Sequence, residues 1–267
     1  MTVQQHDEMI ARIERAENDA FVALYEAAAE TCGTGWYDID GIRGVWSTRD
    51  DDPGYSCVIN LADAPDPAAT LEQIEREARA AGVTVLGIDG SPDVSARIGD
   101  VRIRELGYMP DYQECMWGTQ ISTVESVQMD DRLRIETVGG DQRDAFARIL
   151  NLGYNLPAEH VRGQIFASTL GLPGWTHYLV SFDGTPGAAS VLYTTAGVAD
   201  LFVATTVPEF RGRGAQTALI RQRLHDGLAA GCDIATSQTV VDNASPRNMA
   251  RHGFQPLYHR WIYGKVL

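Results

Sequence analysis

The sequence is poor in positive charge and almost devoid of lysine. Lys265 is its only lysine, and 22 Lys+Arg face 36 Asp+Glu over 267 residues, a formal net charge of −14. A general nucleic-acid binder needs a basic face that displaces counterions from phosphate, so this balance excludes that class. It leaves room for a local pocket that takes a small anion. Cysteine is also scarce: Cys32, Cys57, Cys115 and Cys232 form no Cys-x-x-Cys pair. The chain is therefore not expected to rest on zinc or disulfides. No apolar run reaches the ~18 residues of a membrane span. The polar start of the chain lacks the apolar core of a secretory signal. A cytoplasmic protein with no membrane partner is expected. There is no Gly-x-Ser-x-Gly elbow, no His-Glu-x-x-His and no EF-hand loop, and no metal site is expected.

What is present is an ordinary globular composition, with 44% hydrophobic and 22% charged residues. The length suits one large domain or two small ones. An internal repeat favours two. Gly107-Tyr108-Met109-Pro110-Asp111-Tyr112 parallels Gly253-Phe254-Gln255-Pro256-Leu257-Tyr258, and Trp117-Gly118 parallels Tyr263-Gly264 at the same offset. Upstream, Ala80-Ala81-Gly82 answers Ala229-Ala230-Gly231. Each half is expected to end in a helix, a glycine cap, a strand, a short helix ending at glycine and an aromatic-rich strand.

In the first half the spacing of Ile10, Ile13, Phe21 and Leu24 predicts a helix over 7–32. Short strands are expected at 44–47 and 55–61, and a Pro/Asp loop at 63–67 opens the next helix. The polar stretch 121–131 is expected to link residues 1–120 to 132–267. The second half should begin with a strand at 133–138 and an amphipathic helix at 141–150. A loop holding Tyr154, Asn155 and Pro157 then leads to a helix at 158–168. Strands at 177–182 and 188–195 flank an Asp183-Gly184 turn. The apolar run 200–207 reads as one continuous, central, buried strand. His177 and His252 are expected at the surface or half-buried. Trp36, Trp46, Trp117, Trp175 and Trp261 are expected as core or interface anchors.

The chemistry lies after that strand. Pro208-Glu209-Phe210-Arg211-Gly212-Arg213-Gly214-Ala215-Gln216-Thr217 turns through two glycines into a helix. Glycines allow close backbone approach, and the unpaired amides of a helix N-terminus attract an anion. Arg211 and Arg213 add positive charge to an acidic protein. No Gly-Lys-Ser/Thr follows, so this is not a P-loop, and the spacing is not that of a dinucleotide fingerprint.

The strand, Arg211-Gly212-Arg213-Gly214-Ala215-Gln216 and the following helix resemble the acetyl-CoA motif of the GNAT N-acetyltransferases, Gln/Arg-x-x-Gly-x-Gly/Ala. Arg211 and Gly214 match it, whereas Gln216 replaces the small residue. Asn243 and Gly253-Phe254 also stand where the family places them. The resemblance covers about 132–267, and the first half looks like a degenerate copy with Asp63-Ala64-Pro65-Asp66-Pro67 in place of the loop. It implies an α/β (α+β) chain of two tandem GNAT-like domains, each a mixed, mostly antiparallel sheet flanked by helices.

It also implies a site for acetyl-CoA as acyl donor. The pyrophosphate would rest on amides from Arg211, Gly212, Arg213, Gly214, Ala215, Gln216 and Thr217. The pantetheine arm would pair with the backbone of Ala204, Thr205 and Thr206 and touch Asn243. An N–H near Thr206 would polarise the thioester carbonyl. Asp200, on the same strand, would be the base that deprotonates an amine acceptor, a small molecule or a peptide. The family's usual tyrosine acid is replaced by Met249, which leaves Tyr258 and Tyr154 in reserve. A regulatory module that holds acyl-CoA without transferring the acyl group is the alternative. The acceptor would bind near 152–160, and the protein is expected to be a monomer or homodimer.

Overall fold

The computed structural model describes residues 3–123, 132–242 and 245–267. Asn243 and most of the expected linker 121–131 lie outside them. The first half contains α1 (Val3–Cys32), β1 (Thr34–Ile39), β2 (Ile42–Ser47), β3 (Cys57–Val58), α2 (Pro67–Ala81), β4 (Val85–Gly90), α3 (Pro92–Arg97), α4 (Asp100–Glu105) and β5 (Met109–Gln120). The second contains β6 (Leu133–Thr137), α5 (Arg143–Gly153), α6 (Val161–Ala167), β7 (Trp175–Phe182), β8 (Thr185–Thr195), β9 (Val198–Asp200), β10 (Ala204–Thr206), α7 (Ala215–Ala229), β11 (Ile234–Val240), α8 (Ser245–Arg251) and β12 (Gln255–Val266). The repeat is visible in these elements: helix, glycine in the left-handed region at Gly82 or Gly231, strand, short helices ending at Gly107 or Gly253, long strand.

The compact units do not follow the contiguous division into 1–120 and 132–267. The first unit combines the start of the chain through Ala20 with Trp117–Gln238 and a segment ending at Gln255. The second combines Phe21–Met116, a short piece starting at Thr239, and Pro256–Leu267. The reason is strand pairing. β12 runs antiparallel to β4, with Trp261 opposite Gly90 and Val266 opposite Val85, so the end of the chain completes the sheet of the second unit.

In the second unit the strands follow the order β1–β2–β3–β4–β12, antiparallel except for the β3–β4 pair. Its core gathers Tyr37, Ile42, Leu61, Leu71, Ile88 and Tyr108. Arg260 is buried there and donates to Asp89 at 2.7 Å and to Glu114 at 2.9 Å. The β1–β2 hairpin was not expected, although its signal is local: Asp40 and Gly41 take φ of 54° and 80°, the pair of positive values a two-residue hairpin turn needs. The expected strand at 55–61 shrinks to β3, because a 3-10 turn at Pro53–Tyr55 and another at Leu61–Asp63 bracket it.

In the first unit the order is β6–β7–β8–β9–β11, and among the described residues β10 pairs only with β8. The expected continuous strand 200–207 is broken. β9 runs parallel to β11, while β10 has moved off to β8, and Leu201–Val203 between them belong to neither strand. Helices α5, α6 and α7 cover this sheet, and Phe146, Leu150, Phe166, Leu179, Val191 and Leu219 are buried in its core. Helix α7 approaches β9 so closely that a Cβ on Gly227 would lie 2.6 Å from that of Ala199. His177 is not at the surface. It is 1% exposed, its ring meets Phe146 edge-on, and Nε2 donates to the Phe166 carbonyl at 3.0 Å. Of the tryptophans, Trp117 and Trp175 are buried as expected, but Trp36 and Trp261 are exposed. Among the described residues no helix is long and apolar enough to cross a membrane.

Candidate active site

The break between β9 and β10 opens the sheet. Leu201 still belongs to the β11 side: its N–H donates to Thr236 O at 2.9 Å, and its carbonyl accepts from Ser237 Oγ at 3.2 Å. Two residues later Val203 belongs to β8, accepting from the Val191 N–H at 2.9 Å. From there the register is Ala204 opposite Ser190, Thr205 opposite Ala189 and Thr206 opposite Ala188. Val207 then donates to Gly187 O at 2.9 Å. Only alternate residues of an antiparallel strand bond to a given neighbour. Since Val203 and Val207 bond to β8, Thr205 does too, and the amides of Ala204 and Thr206 face the gap. Thr205 is thereby separated from the other two members of the expected set. Its side chain packs against Gly153, where a Cβ would strike it.

A buried arginine closes the split from the α7 side. Arg223 is 1% exposed, and Nη1 donates to the carbonyls of Val191 at 3.2 Å and Val203 at 3.3 Å, while Nε donates to Leu219 O. Burial pulls its pKa down to about 10, against the raising effects of Tyr178 and Asp200. Asp200 itself is fully buried, directly opposite Tyr193 on β8 and Thr236 on β11. The half-buried Tyr193 phenol is raised first by burial and then by the Asp19 and Asp200 carboxylates. Its ring packs on Trp175 at 4.5 Å, and Trp175 meets Phe202 edge-on at 5.7 Å.

After β10 a 3-10 turn at Pro208–Phe210 leads into the glycine loop. Gly212 and Gly214 have φ of 76° and 87°, the left-handed region that side chains disfavour. Around Gly212 the space is open, and Gly214 caps α7 without a side-chain acceptor. The loop residues Arg211 to Gly214 are exposed. The first amide of α7 taken by the helix at this end is Ala218, which donates to Gly214 O at 3.0 Å. Those of Ala215, Gln216 and Thr217 precede it and form the donor set of a helix start.

Arg211 differs from the rest of the expected cradle. Its amide donates to Pro208 O at 3.2 Å. Its side chain turns inward, with Nε on Thr206 O at 3.0 Å and Nη2 on Gly153 O at 3.0 Å. It braces the loop against β10 and the end of α5. Arg213 stays outside, its guanidinium 5.2 Å from the Phe210 ring, which stacks on Phe182 at 4.7 Å. Gln216, in place of a small residue, turns its amide towards Thr206 Oγ1. Beyond α5, the expected acceptor loop is held by buried Asn151, which donates to Ala158 O and His160 O and accepts from the Gly163 N–H. Tyr154, 37% exposed, ends α5. Met249 is buried in α8, so no hydroxyl stands at that position. Tyr258 belongs to the second unit. Sequence reading missed Arg223, whose signal was a cation four residues after Leu219 on the buried face of α7.

No family model matches the chain, and no curated protein matches it. Solved structures do. A GCN5-related N-acetyltransferase from Kribbella flavida superposes with TM-score 0.65 at 14% identity, over 96% of this chain and 95% of that one. One from Sphaerobacter thermophilus gives 0.61 at 13% identity, over 84% and 80%. A tandem GNAT protein from the clavulanic acid biosynthesis pathway gives 0.57 at 15% identity, over 97% and 94%. The chain therefore has the GNAT fold. At these identities the likeness concerns the fold alone.

Proposed function

We propose that this chain is an acetyl-CoA-dependent N-acetyltransferase that passes the acetyl group directly to a primary amine of a small molecule or peptide. The observation that carries the proposal is the conjunction of a split sheet with a glycine cradle at the start of α7. The residues fit the donor. The pyrophosphate would meet the amides of Gly212 to Thr217 and the charge of Arg213, with Arg211 as the brace rather than a contact. Ala204 and Thr206 would pair with the pantetheine arm, and the Thr206 N–H would polarise the thioester carbonyl. Asn243, outside the described residues, completes this set in the proposal. Acetyl-CoA supplies an activated acyl group.

An amine must lose a proton before it attacks. Asp200 is the proposed proton acceptor. Because Asp200 is fully buried, the proposal passes the proton by way of Tyr193, which lies opposite it and is half-buried. Tyr154 is the proposed donor to the departing thiolate. The test is thiol release from acetyl-CoA with an amine panel, in wild type and Asp200→Asn. Amine-dependent release is expected, reduced about 10²-fold or more in the variant. An unchanged rate removes Asp200 from the chemistry, and no release with any amine counts against the enzyme.

The buried Met249 supports a second reading, a regulatory module that binds acyl-CoA without transfer. Calorimetry showing tight binding without turnover would favour it.

A further inference from the structure

The N-terminal half has its own concave site. A cavity of about 200 Å³ lies against the first turn of α2, its apolar surface supplied by half-buried Ile98 and Leu106 over the fully buried Leu61, Ile88 and Ile103, with Arg97 and Arg102 at its exposed rim. It occupies the place in the repeat that the glycine loop occupies in the C-terminal half, since β3, α2 and β4 correspond in order to β10, α7 and β11.

This site cannot take a pyrophosphate in the same way. Asp66 Oδ1 already accepts from the Ala68 and Ala69 amides, both at 3.2 Å, and so stands where an anion would rest. The rim is nevertheless cationic. Arg97 donates to the carbonyls of Ala62 and Ala64, which are neutral acceptors and leave its charge and other N–H groups available. Arg102 pairs with Glu105 at 3.0 Å, an exposed contact that contributes little. An apolar floor under an arginine rim fits a ligand with a hydrocarbon tail and one negative head. The volume exceeds the ~150 Å³ of a cavity that admits benzene and falls short of the ~300 Å³ where drug-sized pockets begin.

We propose that this cavity binds a small amphipathic carboxylate, a straight-chain acid of about six carbons, with its tail on Ile98 and Leu106 and its carboxylate on Arg97. The site does not depend on the acetyl-transfer reading of the other half.

The probe is sodium hexanoate added to the full chain, followed by isoleucine methyl resonances and by calorimetry. The Ile98 methyls, and those of Ile88 and Ile103 beneath, should shift, with a Kd of about 1 mM or tighter. Hexan-1-ol, with the same tail and no charge, should bind about tenfold more weakly, and so should hexanoate to Arg97→Gln. Acetyl-CoA should leave these methyls unmoved. Unshifted methyls at ~20 mM hexanoate would overturn the proposal. Equal affinity for the alcohol would also overturn it, since the cavity would then be apolar only. Should Arg97→Gln fail to fold, the methyl shifts and the alcohol comparison decide the matter on the wild-type chain.

Discussion

The Arg223 guanidinium donates to the Val203 carbonyl at 3.3 Å, at the point where one strand leaves its neighbour for another. The same nitrogen donates to the Val191 carbonyl at 3.2 Å, so one fully buried cation serves both strands where they part, adding to the Val191 N–H that the Val203 carbonyl already accepts at 2.9 Å. The side chain that bridges the split is therefore on α7, the same helix whose first-turn amides are the proposed anion cradle.

Replacing Arg223 with Met should cost about 3–5 kcal/mol, because the Val191 carbonyl loses the guanidinium donor, the Val203 carbonyl is left with the Val191 N–H alone, and the nearby buried Asp200 loses a countercharge. Urea unfolding measures this. A loss below about 1 kcal/mol would mean that the carbonyls find other donors.

The two loop arginines should separate cleanly. Arg211→Ala removes bonds to Thr206 and Gly153, so both the melting temperature and acetyl-CoA affinity should fall. Arg213→Ala removes only an exposed charge stacked on Phe210. Its melting temperature should hold while affinity drops roughly tenfold at low salt and less at high salt. Thermal melts and calorimetry at two ionic strengths distinguish them.

His177 should make the fold sensitive to acid. Burial lowers its pKa from 6.5 to about 4, so below pH 6.5 the unfolded chain takes up a proton that the native state refuses. The stability that neutral His177 contributes is complete above pH 6.5 and is lost as pH falls towards 4. The full effect is about 3 kcal/mol. Unfolding free energies of wild type and His177→Gln across this window isolate it, and the variant should show the shallower acid slope.

In the N-terminal half, Asp66→Ala should destabilise by about 1 kcal/mol, since two first-turn amides of α2 lose their acceptor. Asp66→Asn should recover most of that loss. Chemical denaturation of the three proteins is the measurement.

Much of the C-terminal site was legible because its chemistry is local. Two glycines before a helix imply positive φ and free first-turn amides whatever surrounds them, and Gly212 and Gly214 show both. The repeat was legible for the same reason, since helix, glycine cap and strand each leave their mark within a few residues. Even the missed hairpin had such a mark in Asp40-Gly41.

By itself, then, the sequence determined the two-fold repeat, the GNAT-like order of elements in the C-terminal half and the glycine turn that opens α7. Tertiary structure alone decided three other matters. It broke the apolar run 200–207, because Val198–Asp200 find a partner in β11 and Ala204–Thr206 find theirs in β8. It turned Arg211 inward and buried His177, Arg223 and Asp200, because hydrogen-bond acceptors and neighbours far away in the chain were available to them. It placed Pro256–Leu267 in the second unit, with most of the N-terminal half, because β4 offers an edge to pair with. In each case the deciding contact joins residues distant in sequence, and local pattern carries no record of a partner chosen that way.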